Sequence, residues 1–347
     1  MKINKVNLLS YSIAFMLISF TNPVYIWGNA PLILMISFSF FIFSFFCNGS
    51  LVFKKDLYPI IIYFIILTIY IFLPFRPYDN FKIYYFVFLI ACYLIFFVKD
   101  EVLVSTKNAY VNIIFIISIF TLISSILFIL KVPFPYITIP SETREDNVIW
   151  YFFSIYLDSQ LIDFGSVNIY RANGLFLEPG HYGVYLSLAL IFIENIFKNN
   201  KGKVLILAIF FTFSATAYLF LFIVIVSKYF SIRKIMWLLL FILLCFSFYF
   251  IPVVNRFIND AILFKFQNDS VLDARTIGVE YIDIHNYSKY LLGQGLLYIE
   301  HLDIVVSDYR RFIVSTGYIG YFLLILFFLY FFYKAFIYKK IYILIGL

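Results

Sequence analysis

The sequence predicts an all-α polytopic membrane protein: a bundle of about 9–11 transmembrane helices, some short or re-entrant, with two longer extracytoplasmic loops carrying interfacial helices. Three observations carry that expectation. Of 347 residues, 64% are hydrophobic and only 13% charged, with a mean hydropathy of +0.97, more apolar than any soluble domain of this size. Apolar runs recur at the length a bilayer demands, about 20 residues. The lysines and arginines behind the net charge of +7 gather in short connections, as the positive-inside rule expects. The basic balance is therefore a topology signal, and no nucleic-acid partner is expected. One transmembrane domain, 1–347, is the default organisation.

On that ruler, helices fall near 7–27, 31–48, 57–74, 83–98 and 109–130, none with an internal charge. Lys2 and Lys5 precede the first run like a signal peptide, but no small-x-small cleavage site follows, so an uncleaved first helix is expected. The connection Gly28–Pro31 is uncharged and reads as external; Lys54-Lys55 reads as cytoplasmic; Arg76–Lys82 is an outer turn; Lys99–Lys107 reads as inside. Cys47, Cys92 and Cys245 all lie in apolar segments, without disulfide or metal spacing, and read as small core residues. Three histidines and no Cys/His cluster argue against bound zinc.

The first outer loop covers about 131–178. It holds three basic and six acidic residues, a balance suited to the outer face. Pro133, Pro135 and Pro140 exclude a regular helix at its start. Val148–Leu157 is ten nearly all-apolar residues, too short to span, and reads as an interfacial segment along the bilayer.

Next comes a polar island, Arg171-Ala-Asn-Gly-Leu-Phe-Leu-Glu-Pro-Gly-His181, at the mouth of a helix expected over 179–197. Pro179 fits the first helical position, where its missing N–H costs nothing. The first free N–H groups of that helix, with Arg171 and His181 nearby, suit an anion such as phosphate. Glu178 at the same mouth is a candidate acid or base. A loop that merely caps a transmembrane helix is the plainer alternative. Glu194 lies near enough to the helix end to reach the interface.

Lys198, Lys201 and Lys203 form one basic cluster; Lys228, Arg233 and Lys234 form another after the apolar segment 204–226. A single crossing would put the second cluster outside. The run Ser214-Ala215-Thr216 offers an escape: two arms of roughly 16 Å each, entering and leaving on the same side as a re-entrant hairpin. One ordinary helix with a basic outer loop is the alternative. A helix over 235–252 then leads to the second outer loop, 253–311, with six basic and eight acidic residues. Within it, Asp273 can cap an amphipathic helix whose stripe is Ile277, Tyr281, Ile284, Tyr287 and Leu291, ended by Gly293-Gln-Gly295. A last island, Ser307-Asp308-Tyr309-Arg310-Arg311, opens a helix expected over 312–333, in which Gly317 and Gly320 allow close packing.

In order, Arg171-x-x-Gly174-x-Phe176-x-Glu178-Pro179-Gly180, the Thr212-Phe213-Ser214 step, Asp273-Ala-Arg275 with Leu292-Gly293-Gln-Gly295, and Ser307-Asp308-Tyr309 ahead of Gly317-x-x-Gly320 resemble the Wzy-type O-antigen polymerases and the related O-antigen ligases. The resemblance covers roughly residues 170–320; the N-terminal half matches only as helices of suitable length. It implies a metal-independent glycosyltransferase without cofactors, in the bacterial inner (plasma) membrane. Such an enzyme joins oligosaccharide repeat units carried on undecaprenyl diphosphate, at the outer face, into O-antigen or capsular polysaccharide. Its implied partners are that lipid-linked oligosaccharide, membrane lipid and a chain-length regulator protein. Ligases usually carry a His in the last island, where this chain has Asp308, with His301 seven residues earlier; that tilts the expectation to polymerase. Family members usually have further apolar sequence beyond the place where this chain stops at Leu347.

A diphosphate leaving group calls for cations where negative charge develops, and a guanidinium grips phosphate oxygens bidentately. Arg171 and Arg275 are the candidates for this role, with Arg310 or Arg311 as a third. Arg275 reads equally well as a solvated helix-surface residue, and Arg310 and Arg311 as headgroup anchors. The acceptor hydroxyl needs a base or an orienting acceptor, for which Glu178, Asp308 and His181 are the options. His285 and His301 read as loop surface. A lipid-linked oligosaccharide flippase is the rival class. It predicts charges buried mid-helix or paired broken helices in two related halves, and the polar residues here mass in two unequal outer loops instead.

Overall fold

In so apolar a chain the backbone must satisfy its own polar groups locally, and helix does this within one segment. In the computed structural model 73% of the described residues are helical. The structure describes residues 5–19, 30–48, 58–72, 97–133, 135–140, 147–163, 168–176, 178–229, 287–295 and 309–337, with a few single positions between them. The helices are α1 (Lys5–Ser19), α2 (Ala30–Asn48), α3 (Tyr58–Phe72), α4 (Asp100–Ile129), α5 (Pro179–Phe192), α6 (Asn200–Phe211), α7 (Ala215–Tyr229) and α8 (Tyr309–Ile337). Among the described residues, α4 is the one helix long and apolar enough to cross a membrane by itself. Its start corrects an expectation. Residues 100–107 are helical rather than a connection, because Lys99 is an extended N-cap and Asp100 and Glu101 suit the positive helix end. Expected helices 83–98 and 235–252 lie largely or wholly outside the described residues.

Two compact units divide the chain, one from 1–50, 99–264 and 345–347, the other from 51–98 and 265–344. In the first, α1 packs on α2 and α4, and α4 also packs on α5 and α6. Ser10 of α1 donates its hydroxyl to the Val102 carbonyl of α4 at 3.2 Å.

Within residues 131–178 the described part overturns the all-α expectation and the interfacial helix expected there. It folds as strands. β1 (Tyr136–Pro140), β2 (Asn147–Tyr151) and β3 (Ser154–Leu157) form an antiparallel sheet in that order, and β4 (Leu161–Asp163) pairs with β5 (Asn168–Tyr170). Short runs of Ile, Val, Tyr and Trp suit a pleated surface, and Phe152-Phe153 supplies a two-residue turn in the middle of Val148–Leu157. An apolar run buried on both faces has no period, so the sequence pattern hides the strands. This layer sits on the last turns of α4. Ser124 donates its hydroxyl to the Tyr151 carbonyl at 2.9 Å, and the Phe128 ring lies 5.0, 5.4 and 4.8 Å from those of Tyr151, Tyr156 and Tyr170.

The expected helix 179–197 stops at Phe192, and residues 193–199 turn the chain. The segment 204–226 is two helices, α6 and α7, broken at 212–214 with Phe213 at φ +45°. The turn ahead of α6 meets the end of α7. Lys228 of α7 donates its ammonium to the Ile193 carbonyl, the Ile196 N–H donates to the Tyr229 hydroxyl at 3.1 Å, and the Phe197 and Tyr229 rings lie 5.5 Å apart. Lys198, Lys201, Lys203 and Lys228 therefore share one end of the bundle; Arg233 and Lys234 of the second basic cluster lie outside the described residues. Consequently α5 and α7 run parallel, with α6 antiparallel to both. A Cβ added at Gly183 of α5 would sit 2.1 Å from the Ala217 Cβ of α7, so this contact requires glycine.

In the second unit α8 is not the continuous helix expected over 312–333; it breaks at Gly317 (φ 80°, ψ 171°). The break frees the carbonyls of Val314 and Ser315, which accept from the N–H groups of Gln294 (2.8 Å) and Gly295 (3.0 Å). The backbones of Gly293 and Gly317 cross so closely that a Cβ on Gly317 would lie 2.4 Å from the Gly293 nitrogen. Tyr70 of α3 donates to the Thr316 carbonyl at 3.0 Å. Arg76 donates Nε to the Leu292 carbonyl (2.7 Å) and Nη2 to the Tyr70 carbonyl (2.6 Å). Of the expected amphipathic helix, the turn Tyr287–Tyr290 is helical and most of the rest lies outside the described residues.

The Gly183 contact gives a paired prediction. Gly183→Val forces α5 and α7 apart and lowers stability by about 1–3 kcal/mol, read as a lower melting temperature in detergent. Gly180→Ala, whose Cβ would meet Ser214 Oγ at an ordinary 3.5 Å, leaves it within error.

Candidate functional site

The site begins with a helix end that must be satisfied. The last carbonyls of an α-helix have no partner within it. At the end of α6 the Phe210 carbonyl accepts from the Tyr218 hydroxyl (3.0 Å), the Phe211 carbonyl from the Ala172 N–H (2.9 Å) and the Thr212 carbonyl from Arg171 Nε (3.1 Å). Arg171 is 9% exposed, and its own N–H donates to the Gln160 carbonyl at 3.2 Å. A cation at a helix C-terminus also offsets the negative end of the macrodipole. Thus the arginine picked from sequence as a phosphate ligand has a structural duty that sequence reasoning missed. The signal was present in the Thr212-Phe213-Ser214 step, but its partner was not legible.

Beside that end lie two helix beginnings. α5 starts with Pro179 as its first residue, and α7 starts at Ala215. A Cβ at Gly180 would meet Ser214 Oγ at 3.5 Å, so the two N-termini are neighbours. With both positive helix ends and the Arg171 guanidinium at one end of the bundle, this end favours an anion.

Glu178 is the N-cap of α5 by backbone geometry (φ −128°, ψ 137°), and its side chain makes no capping bond. Its Oε2 lies 4.0 Å from His181 Nε2, and both side chains face solvent. The structure thus brings Glu178 and His181 together, one helical turn apart, at the N-terminus that abuts the Thr212–Ser214 break. Arg275, Asp308, His285 and His301 lie outside the described residues. Arg310 and Arg311 belong to the first turn of α8.

Below the island, a stripe of hydroxyls holds it to α4. Tyr182 of α5 donates to Ser118 Oγ at 3.1 Å, and Tyr156 of β3 donates to Ser124 Oγ at 3.0 Å and lies 3.2 Å from Ser125 Oγ. Burial pushes the Tyr156 phenol above its usual range, against its hydrogen bonds to Ser124, Ser125 and Ser154, so it stays neutral and donates. Burial, and then the Asp158 carboxylate, do the same to Tyr170. The Gly174 carbonyl accepts from the Ile155 N–H at 2.9 Å, tying the sheet to the island. Gly174 itself has φ +60°, and a Cβ there would press on the Tyr182 ring at 3.0 Å. Tyr182 and Phe176 stack at 5.6 Å beneath it.

Tyr156→Phe deprives Ser124 and Ser125 of a buried partner and should cost about 1–3 kcal/mol. The loss is measured as a lower thermal midpoint in detergent. Tyr170→Phe, whose contact to Asp158 is long at 3.5 Å and exposed, should cost far less.

Compared with known proteins, the chain matches no family model, no curated protein and no solved structure.

Proposed function

We propose that this chain is a multi-pass protein of the bacterial inner (plasma) membrane that polymerises undecaprenyl-diphosphate-linked oligosaccharide repeat units into O-antigen or capsular polysaccharide. The observation that carries the reading is the pairing of two parallel helix N-termini, at Pro179 and Ala215, with the buried Arg171 guanidinium. Such an end suits a diphosphate and stabilises it further as it departs with added negative charge. The lysines at the opposite end match a cytoplasmic face. The family resemblance of the Arg171–His181 island supplies the substrate class.

Helices α5, α6 and α7 have 14, 12 and 15 residues, or about 21, 18 and 22 Å. All are shorter than a hydrocarbon core of about 30 Å. With the lysines at the inner interface, the island would be recessed below the outer surface, where a lipid-borne diphosphate can reach it from the side.

In the proposed reaction an acceptor sugar hydroxyl attacks the anomeric carbon of the donor chain. The bond from that carbon to the diphosphate oxygen breaks, undecaprenyl diphosphate leaves, and the hydroxyl proton passes to a base. Glu178 and His181 are the proposed acceptors of that proton. Arg275, Arg310 and Arg311 as further diphosphate ligands, and Asp308 as another base, remain proposals from the sequence pattern.

The test uses surface glycan gels in cells carrying single variants. Arg171→Ala is expected to abolish the ladder while one-unit surface glycan persists. Because Arg171 also caps α6, Arg171→Lys is run beside it. The lysine keeps a cation and a donor for the Thr212 carbonyl but loses the bidentate fork, and polymer should fall at least about 100-fold with protein level unchanged. Full-length polymer in both variants overturns the assignment. Loss of all attached glycan on gene deletion points instead to a ligase or flippase, and lipid-linked polymer accumulating outside singles out the ligase.

A further inference from the structure

We propose that the Phe152–Phe153 turn is a membrane-inserted tip, seated among the acyl chains of the bilayer beside the site. The inference rests on the membrane reading above. Two features of the turn are costly in water. Phe152 adopts φ +56°, a conformation that two-residue hairpin turns normally give to Gly, Asn or Asp. A bulky aromatic there is strained, and such strain persists where something else gains by it. Its neighbour Phe153 is 51% exposed. Gly or Asn would relieve the strain, and a polar residue would relieve the exposure. This turn has two phenylalanines instead. Trp150 holds the arrangement by donating Nε1 to the Phe152 carbonyl at 2.9 Å.

Position identifies hydrocarbon as the partner. The rings of Phe153 and Phe152 lie 4.7 and 6.2 Å from Phe120 of α4. Phe120 belongs to a helical stripe with Ile116 and Ile123, both exposed, on α4, the one helix among the described residues long and apolar enough to span a membrane alone. It is within one turn of Ser118, whose hydroxyl contacts Tyr182 in the first turns of α5. The tip is therefore level with the start of α5, well short of the end of α4 at Ile129. Tyr136 and Ile137 are exposed at the same end of the sheet, opposite Tyr151 and Trp150. An aromatic-rich edge of this kind suits the boundary between headgroups and chains.

The tip also connects to the site. Immediately after it, Ser154 Oγ and the Ile155 N–H both donate to the Gly174 carbonyl, at 3.4 and 2.9 Å. A lipid contact at Phe153 is thus two residues from the bond that holds the island against the sheet.

The experiment places a spin label at Phe153→Cys in a chain whose native cysteines are replaced by serine, reconstituted in phosphatidylethanolamine–phosphatidylglycerol vesicles. Collision rates with oxygen and with a water-soluble nickel chelate are compared at that site, at Ile123→Cys on α4 and at Asp158→Cys on the same sheet layer. We expect Phe153→Cys to favour oxygen several-fold over nickel, as Ile123→Cys does, while Asp158→Cys favours nickel. A nickel-accessible label at 153 with a lipid-like label at 123 overturns the tip and leaves the membrane reading standing. A label at 153 shielded from both reagents means that protein covers it, which also overturns the proposal. A nickel-accessible label at 123 removes the membrane reading and the tip together. Phe152→Gly with Phe153→Ser, which satisfies the turn chemistry, checks folding independently: it should preserve the melting temperature while weakening vesicle retention of the outer layer, read as faster proteolysis at the turn. Unchanged proteolysis counts against the tip.

Discussion

The end of α6 is the constraint on which the first unit depends. A buried carbonyl freed at a helix end costs about 1–3 kcal/mol if left without a partner, and the Thr212 carbonyl at this end is buried. Three groups from elsewhere meet the carbonyls of this end: the Tyr218 hydroxyl, the Ala172 N–H and the Arg171 guanidinium. Two come from the stretch just ahead of α5 and one from α7. The end of α6 is therefore satisfied only once the island and the returning helix are both in position. That requirement links the island to the bundle by more than apolar packing.

Turning back at that point has an electrostatic consequence. Because α6 returns early, α5 and α7 begin side by side and run in the same direction, in contact through Gly183 and Ala217. Their positive ends add, and the single negative end beside them is offset by Arg171. At the far end the pattern is reversed. Lys228 donates to the Ile193 carbonyl beyond the close of α5, and Lys201 reaches Asn112 of α4 at 2.5 Å. The bundle thus has an axis of charge built mainly from backbone, and the island stands at the pole that attracts anions.

The second unit meets the same difficulty in another way. The break of α8 at Gly317 also frees carbonyls, and the Gly293-Gln-Gly295 segment supplies the N–H groups. Here two glycines let backbones cross where any side chain would intrude. Arg76 fastens the crossing through the Leu292 carbonyl while its guanidinium lies 5.0 Å from the centre of the Tyr70 ring. In both units an arginine donates Nε to a carbonyl at an interrupted helix.

Hydropathy by itself determined that the chain is helix-rich, and the ends of α2 and α3 follow from where apolar runs stop. Local chemistry determined that α5 begins at Pro179, and two basic clusters flanking one apolar segment argued for a break near Ser214. Other features depended on the tertiary structure. The strands of 136–170 were hidden because runs this short show no clear period, and β3, buried on both faces, has none to distinguish strand from helix. The duty of Arg171 toward Thr212, forty-one residues away, and the adjacency of two helix N-termini were hidden because a hydrogen bond or a dipole acts between neighbours in space. The break at Gly317 read as ordinary small-residue packing until the Gly293 backbone was found lying across it. Burial and periodicity are properties of a segment and can be read along the chain; partners for freed backbone groups come from other segments, and only the folded arrangement assigns them.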